Sequence, residues 1–252
     1  VVCTGIEPDG FNINREGGST HPDAICDLVR ECGADVGMAF DGDADRVVLV
    51  DKQGRLVDGD GILFVLSQYR YQSGDCKGLV GTLMTNLGVE VACQQKGIEF
   101  VRANVGDRFV LEELLARNWT LGGETSGHIL SLDRSTTGDG LVAALAVLEV
   151  MQVADSSLAD LVEGLQIFPQ ELINVSVDHS NPSELLTDPR ICESVSSCER
   201  QLDARGRVVL RASGTEPVIR VMVEGEDATS VVKLARGLAD EIVSAAGSAP
   251  GG

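Results

Sequence analysis

The chain has 252 residues, of which 43% are apolar and 23% charged, enough for one or two domains with a real buried core. Twenty Lys and Arg stand against 39 Asp and Glu, and the resulting net charge of −19 repels nucleic-acid backbones and anionic lipid. Nucleic-acid and membrane-surface roles are therefore disfavoured, and any phosphate-bearing ligand needs a local cationic pocket or a divalent metal.

The chain opens Val1-Val2-Cys3, without Met, at what reads as the end of a strand, so a longer parent polypeptide is expected. Ile25, Leu28, Val29 and Cys32 fall at helical spacing between Pro22 and Gly33, with Ser19 or Thr20 as candidate caps. Strands are predicted over 36–40 and 47–50, flanking an acidic hexapeptide, and Asp51 to Gly54 reads as a turn. A helix over 59–69, a strand over 79–83, a helix over 109–116 and a strand over 119–121 follow. The helix over 140–153 is apolar all round, which implies burial on every side. This alternation predicts a layered α/β domain. Beyond about Gly164 the pattern becomes α+β, with strands over 171–177, 208–211 and 218–224, an amphipathic stretch over 191–202, and a helix over 228–243 before a tail that should fray. No repeat at fixed period is present. Seven cysteines at 3, 26, 32, 76, 93, 192 and 198, an odd number without a Cys-x-x-Cys pair, read as reduced thiols of a cytoplasmic protein. No apolar run approaches the roughly 18 residues of a membrane span, and no signal-like segment opens the chain.

Three loops carry chemistry. Asp41-Gly42-Asp43-Ala44-Asp45-Arg46 sets three carboxylates at alternate positions, which repel unless a cation neutralises them; hard oxygen ligands on a tight loop suit Mg²⁺. An EF-hand is excluded because Arg46 and Lys52 occupy its Gly and Glu positions. Gly122-Gly123-Glu124-Thr125-Ser126-Gly127-His128 offers a carboxylate, hydroxyls and an imidazole suited to vicinal sugar hydroxyls, although a capping turn with a structural histidine explains the same residues. Arg211-Ala212-Ser213-Gly214-Thr215-Glu216-Pro217-Val218-Ile219-Arg220 places two guanidinium groups around hydroxyls and a glycine, an anion nest that lacks the order of a Walker A loop. His21 reads as partly structural, and His179 lies in a polar loop.

These loops, in this order, resemble those of the α-D-phosphohexomutase superfamily. More narrowly, Pro8 to Asn14 and Gly18 to Pro22 look like stretches of its phosphoglucosamine mutase family. The resemblance covers nearly the whole chain. It implies the end of domain 2 over 1–58, domain 3 over 59–165 and domain 4 over 166–252. It further implies an isomerase that interconverts glucosamine 6-phosphate and glucosamine 1-phosphate through a 1,6-bisphosphate. The superfamily's phosphoserine loop, in its first domain, has no counterpart in this sequence. By resemblance Asp41, Asp43 and Asp45 hold Mg²⁺, Arg46 and His128 are catalytic, and Glu124, Ser126, Arg211, Ser213, Gly214, Thr215 and Arg220 bind substrate. Gly106, Asp107 and Arg108 match a further stretch with a weaker claim on it. The expected partner is a hexosamine phosphate, with no nucleic acid and no membrane. A phosphomannomutase or phosphoglucomutase, or a non-catalytic Mg²⁺ and phosphosugar binding module, are the alternatives.

Overall fold

A computed structural model describes residues 1–15, 17–177, 181–203, 205–213 and 216–247. In chain order the elements are α1 (Asp23–Cys32), β1 (Val36–Phe40), β2 (Val47–Asp51), β3 (Leu56–Val57), α2 (Gly59–Ser73), β4 (Gly78–Thr82), α3 (Leu87–Lys96), β5 (Glu99–Ala103), α4 (Asp107–Arg117), β6 (Leu121–Gly123), β7 (Ile129–Ser131), α5 (Gly140–Ala154), α6 (Leu158–Val162), β8 (Gln170–Ser176), α7 (Pro182–Leu185), α8 (Pro189–Leu202), β9 (Gly206–Ala212), β10 (Val218–Gly225) and α9 (Ala228–Gly247). They form two compact units, Val1–Gln166 and Ile167–Gly252.

The first unit holds an antiparallel sheet of order β1-β2-β3 and a mixed sheet of order β5-β4-β6-β7. In the mixed sheet β4 runs parallel to both β5 and β6, and β7 closes it antiparallel. Strand β2 is buried along its whole length because both faces are covered: Val50 packs under α1, while Val47 and Leu49 enter the main core with Ile62, Leu63 and Leu66 of α2 and Val147 of α5. On the other face of the mixed sheet, Val80 and Leu130 pack against Val110 and Leu114 of α4. Loops that follow parallel strands gather at their carboxyl ends, the usual ligand-binding edge of such sheets. Here those are residues 83–86, 104–106 and 124–128.

The second unit is an antiparallel sheet of order β8-β10-β9. Ile219, Val221 and Val223 of β10 and Val175 of β8 point to one face, where they meet Ile191 and Cys198 of α8 and Val231, Leu238 and Ile242 of α9. Among the described residues no helix is long and apolar enough to cross a membrane.

Several expectations need correction. Helix α5 is not buried all round: Ala143, Ala144, Val147 and Val150 are buried, but Leu141, Leu145 and Val153 are more than half exposed. The helix packs against α2, β2 and β7. Neither Ser19 nor Thr20 caps α1, whose N-cap is Pro22, and the Ser19 amide donates instead to the Phe40 carbonyl at 3.0 Å. The buried stripe of α1 runs through Cys26 and Val29 and leaves Cys32 exposed. Residues 119 and 120 do not start a strand, because the Trp119 amide closes α4 on Leu114 at 2.9 Å, and β6 begins at Leu121. The spacing predicted no element over α3 or β5. Helix α3 buries small residues, Gly88, Val89, Ala92 and Cys93, which give little periodic signal. His179 and residues 248–252 of the tail lie outside the described residues.

Candidate active site

The acidic loop joins β1 to β2. Its turn is tight: Ala44 adopts a positive φ of 59°, its amide donates to the Asp41 carbonyl at 3.2 Å, and the Arg46 amide donates to Asp41 Oδ1 at 3.1 Å. One carboxylate oxygen from each of Asp41, Asp43 and Asp45 lies within 4.8 Å of the other two. Partial burial, and then the hydrogen bond and charge of Asp41, push the Asp45 carboxyl above its ordinary pKa. Asp45 Oδ1 is buried without a hydrogen-bond partner among the described residues, and Arg46 Nε stands 3.9 Å from it and 3.8 Å from Asp41 Oδ2. An all-oxygen donor set with one orphaned buried oxygen fits a small hard cation such as Mg²⁺.

The 122–128 loop is the β6–β7 hairpin, and it is stitched to the acidic loop. The Val47 amide donates to the Gly127 carbonyl at 3.1 Å, Arg46 and His128 form an antiparallel bridge, and the Gly140 amide donates to the Ala44 carbonyl at 2.9 Å. Gly127 sits at φ 93°, where a Cβ would collide with the Val47 carbonyl oxygen, so no other residue fits this crossing. His128 is buried and holds Nδ1 2.9 Å from Asp45 Oδ2. The imidazole thus buttresses a candidate metal ligand. Its Nε2 has no partner among the described residues. Glu124 Oε1 accepts from the Gly106 amide at 3.0 Å, which joins the loops after β5 and β6. Ser126 is exposed. The Arg108 guanidinium donates to Glu112 one helical turn on, at 2.8 Å, and is exposed.

In the second unit Arg211 of β9 and Arg220 of β10 stand directly opposite in the antiparallel register. Like charges so placed are destabilising unless an anion lies between them. Both Nε atoms are buried with no hydrogen-bond partner among the described residues. Burial, and then the charge of Arg220, lower the Arg211 pKa from its ordinary value. The Ser213 amide donates to the Val218 carbonyl at 2.8 Å and closes the β9–β10 turn. Gly214 and Thr215 lie outside the described residues.

Two residues that the sequence did not single out join these groups. Asn174 of β8 is the other register partner of Arg220, so it belongs to the same row as the two arginines. Asp60, 1% exposed, accepts from Thr125 Oγ1 at 2.9 Å and from the Asn86 amide at 2.8 Å. A carboxylate between glycines after an N-cap Asp looks in sequence like a solvated first-turn acid, so only its burial identifies it.

Residues 58–168 match "Phosphoglucomutase/phosphomannomutase, alpha/beta/alpha domain III" and residues 172–241 match "Phosphoglucomutase/phosphomannomutase, C-terminal domain". With the two domains in that order over most of its length, the chain belongs to the phosphoglucomutase/phosphomannomutase family. Its curated relatives include the phosphoglucosamine mutases of Halorhodospira halophila, 52% identical over 98% of this chain and 54% of the relative, and of Legionella pneumophila strain Corby, 49% identical over 96% and 53%. The chain spans about half the length of the curated relatives it matches. Among solved structures, a phosphoglucomutase/phosphomannomutase family protein from Burkholderia thailandensis superposes with a TM-score of 0.74 at 21% identity, over 92% of this chain and 52% of that one. Aspergillus fumigatus N-acetylphosphoglucosamine mutase, in complex with GlcNAc-6P and magnesium, superposes with a TM-score of 0.72 at 22% identity, over 94% and 58%. These two likenesses are of fold.

Proposed function

We propose that the chain supplies the metal, sugar and phosphate sites of a phosphoglucosamine mutase, an isomerase that interconverts glucosamine 6-phosphate and glucosamine 1-phosphate through a 1,6-bisphosphate. Residues 1–58 close the second domain of such an enzyme, 59–165 form the third and 166–252 the fourth. The observation that carries the reading is the opposed Arg211 and Arg220, two partly buried cations in register whose Nε atoms find no hydrogen-bond partner among the described residues. This arrangement asks for a dianion, and a phosphate is the dianion that also suits the Ser, Gly and Thr that the sequence sets at 213–215.

Each residue then has a physical task. Arg211, Arg220, Ser213, Gly214 and Thr215 hold the phosphate that does not react. Glu124 and Ser126 take sugar hydroxyls, with the Glu124 carboxylate oriented by the Gly106 amide. Asp41, Asp43 and Asp45 would hold Mg²⁺, which when bound neutralises charge on a transferring phosphoryl group. Arg46, half exposed beside Asp41 and Asp45, adds a fixed positive charge to the same place. His128 keeps Asp45 in position and presents a buried imidazole at the rim of the sugar loop. The resemblance assigns the phosphoryl carrier to a serine outside these residues. Glucosamine recognition rests on the named relatives at about half identity. Seven free cysteines suit a reducing compartment, and the cytoplasm is the compartment proposed.

The test is a chimera in which this chain replaces the matching half of the Halorhodospira halophila relative. It should form glucosamine 1-phosphate in a coupled assay with the 1,6-bisphosphate present, and Asp43→Asn should abolish turnover. A folded chimera without turnover would contradict the proposal, and an unimpaired Asp43→Asn variant would remove the metal assignment.

A further inference from the structure

Asp60 is a buried carboxylate with no place in the chemistry above, yet it sits where three parts of the first unit meet. It belongs to the first turn of α2, directly after the Asp58 N-cap, whose side chain accepts from the Gly61 amide at 3.1 Å. From there Asp60 Oδ2 accepts from the Asn86 amide in the loop after β4, at 2.8 Å, and Oδ1 accepts from Thr125 Oγ1 in the loop after β6, at 2.9 Å. The backbone repeats the link. The Gly59 amide donates to the Thr125 carbonyl at 3.0 Å, and the approach is so close that a Cβ on Gly59 would collide with the Glu124 carbonyl oxygen.

Thr125 lies between the two residues assigned to sugar hydroxyls. Its hydroxyl is drawn to Asp60, while its neighbours stay accessible, Glu124 in part and Ser126 as an exposed residue. Backbone bonds hold the loop itself, and the contact to Asp60 is the shorter of the two bonds of the Thr125 hydroxyl, the other reaching the Met84 carbonyl at 3.4 Å, so Asp60 is what fixes this side chain. Burial strengthens that restraint, because a carboxylate oxygen in a dry site bonds a hydroxyl more firmly than water-exposed groups do.

We propose that Asp60 is a positioning residue for sugar recognition: through Thr125 it fixes the sugar loop against the N-terminal turn of α2 so that Glu124 and Ser126 present one defined pair of groups to the hexose. The proposal rests on the reading of Glu124 and Ser126 as sugar contacts. It makes a demand that a purely structural role does not make. Loss of the Thr125 hydroxyl should weaken binding of the sugar without weakening binding of phosphate, whose site is built in the second unit.

The experiment is titration calorimetry of the 252-residue chain with glucosamine 6-phosphate, inorganic phosphate and Mg²⁺ separately. Thr125→Val, which keeps shape and removes the hydroxyl, should raise the dissociation constant for glucosamine 6-phosphate about tenfold and leave those for phosphate and Mg²⁺ within twofold. Thr125→Ser should restore sugar-phosphate binding, and Asp60→Asn should resemble Thr125→Val. Wild-type affinity in Thr125→Val, or equal losses for sugar phosphate and phosphate, would overturn the proposal. A wild-type chain that binds glucosamine 6-phosphate no more tightly than phosphate would instead sink the assignment of Glu124 and Ser126, and the proposal with it, before any variant is made.

Discussion

At the scale of single residues, chemistry follows from what each group is denied. Cys93, on α3 and packed in the main core, has its thiol pushed up to about 12 by burial, and burial likewise raises Cys76 and Cys198. The thiolate is the reactive form, so these sites should be inert while the exposed Cys3, Cys32 and Cys192 react. Iodoacetamide labelling followed by mass spectrometry should find those three first; early labelling of Cys93 would mean the core around α3 is open. The same logic applies to Asp45, whose orphaned oxygen marks a place for a cation. Asp43→Asn removes one unit of negative charge from the cluster and should weaken Mg²⁺ binding at least tenfold by calorimetry, with no change in the far-ultraviolet circular dichroism. Glu124→Ala leaves the Gly106 amide without its carboxylate and removes a sugar acceptor, at a cost of about 1–3 kcal/mol in sugar-phosphate binding. The fold should survive, because Glu124 sits on a hairpin loop; loss of cooperative unfolding would mark the motif as structural.

At the scale of elements, the β9–β10 pair sets the proposed phosphate site against stability. Arg211 and Arg220 face each other across the ladder, and an opposed like-charge pair costs the empty sheet up to about 1 kcal/mol. Arg220→Ala should therefore leave the melting temperature in phosphate-free buffer unchanged or slightly higher, while abolishing the rise that phosphate should produce in the wild-type chain. A large drop in melting temperature without phosphate would show that the arginine is structural. Much of this architecture was readable from the sequence. The strand at 36–40 and the helix at 228–243 alternate or repeat cleanly, because each has one well-defined buried face, whereas the helix at 59–69 is buried on every side from Gly59 to Ser67 and the strand at 218–224 on both faces from Val221 on, so their apolar content marked them. What escaped did so for physical reasons: α3 buries Gly and Ala, which carry no periodic signal, and β6 was displaced by two residues because α4 ends in a backbone bond from Trp119. The reading of α5 as buried all round failed because apolar residues can remain at a surface; Leu141, Leu145 and Val153 do so. In the site, Asp41, Asp43, Asp45, Glu124, Arg211 and Arg220 stood out as charges beside turns. Asp60 and Asn174 did not, since their importance comes from burial in one case and from strand register in the other.

At the scale of the whole molecule, a chain of net charge −19 carries its two opposed arginines in one unit and its three clustered aspartates in the other. Each unit has its own core, so each site is expected to bind without chemistry at the other. The proposed reaction uses a covalent carrier as well as a metal and a grip on the sugar, and on the proposed reading the residues here provide the last two. The most direct measurement combines titration of the 252-residue chain with glucosamine 6-phosphate and a coupled assay for glucosamine 1-phosphate in the presence of the 1,6-bisphosphate and Mg²⁺. The expected result is binding in roughly the millimolar range, lost in Arg220→Ala, with no detectable turnover. Turnover by these residues alone would place the phosphoryl carrier within them, and unaltered binding by Arg220→Ala would place the phosphate elsewhere; either result would contradict the central assignment.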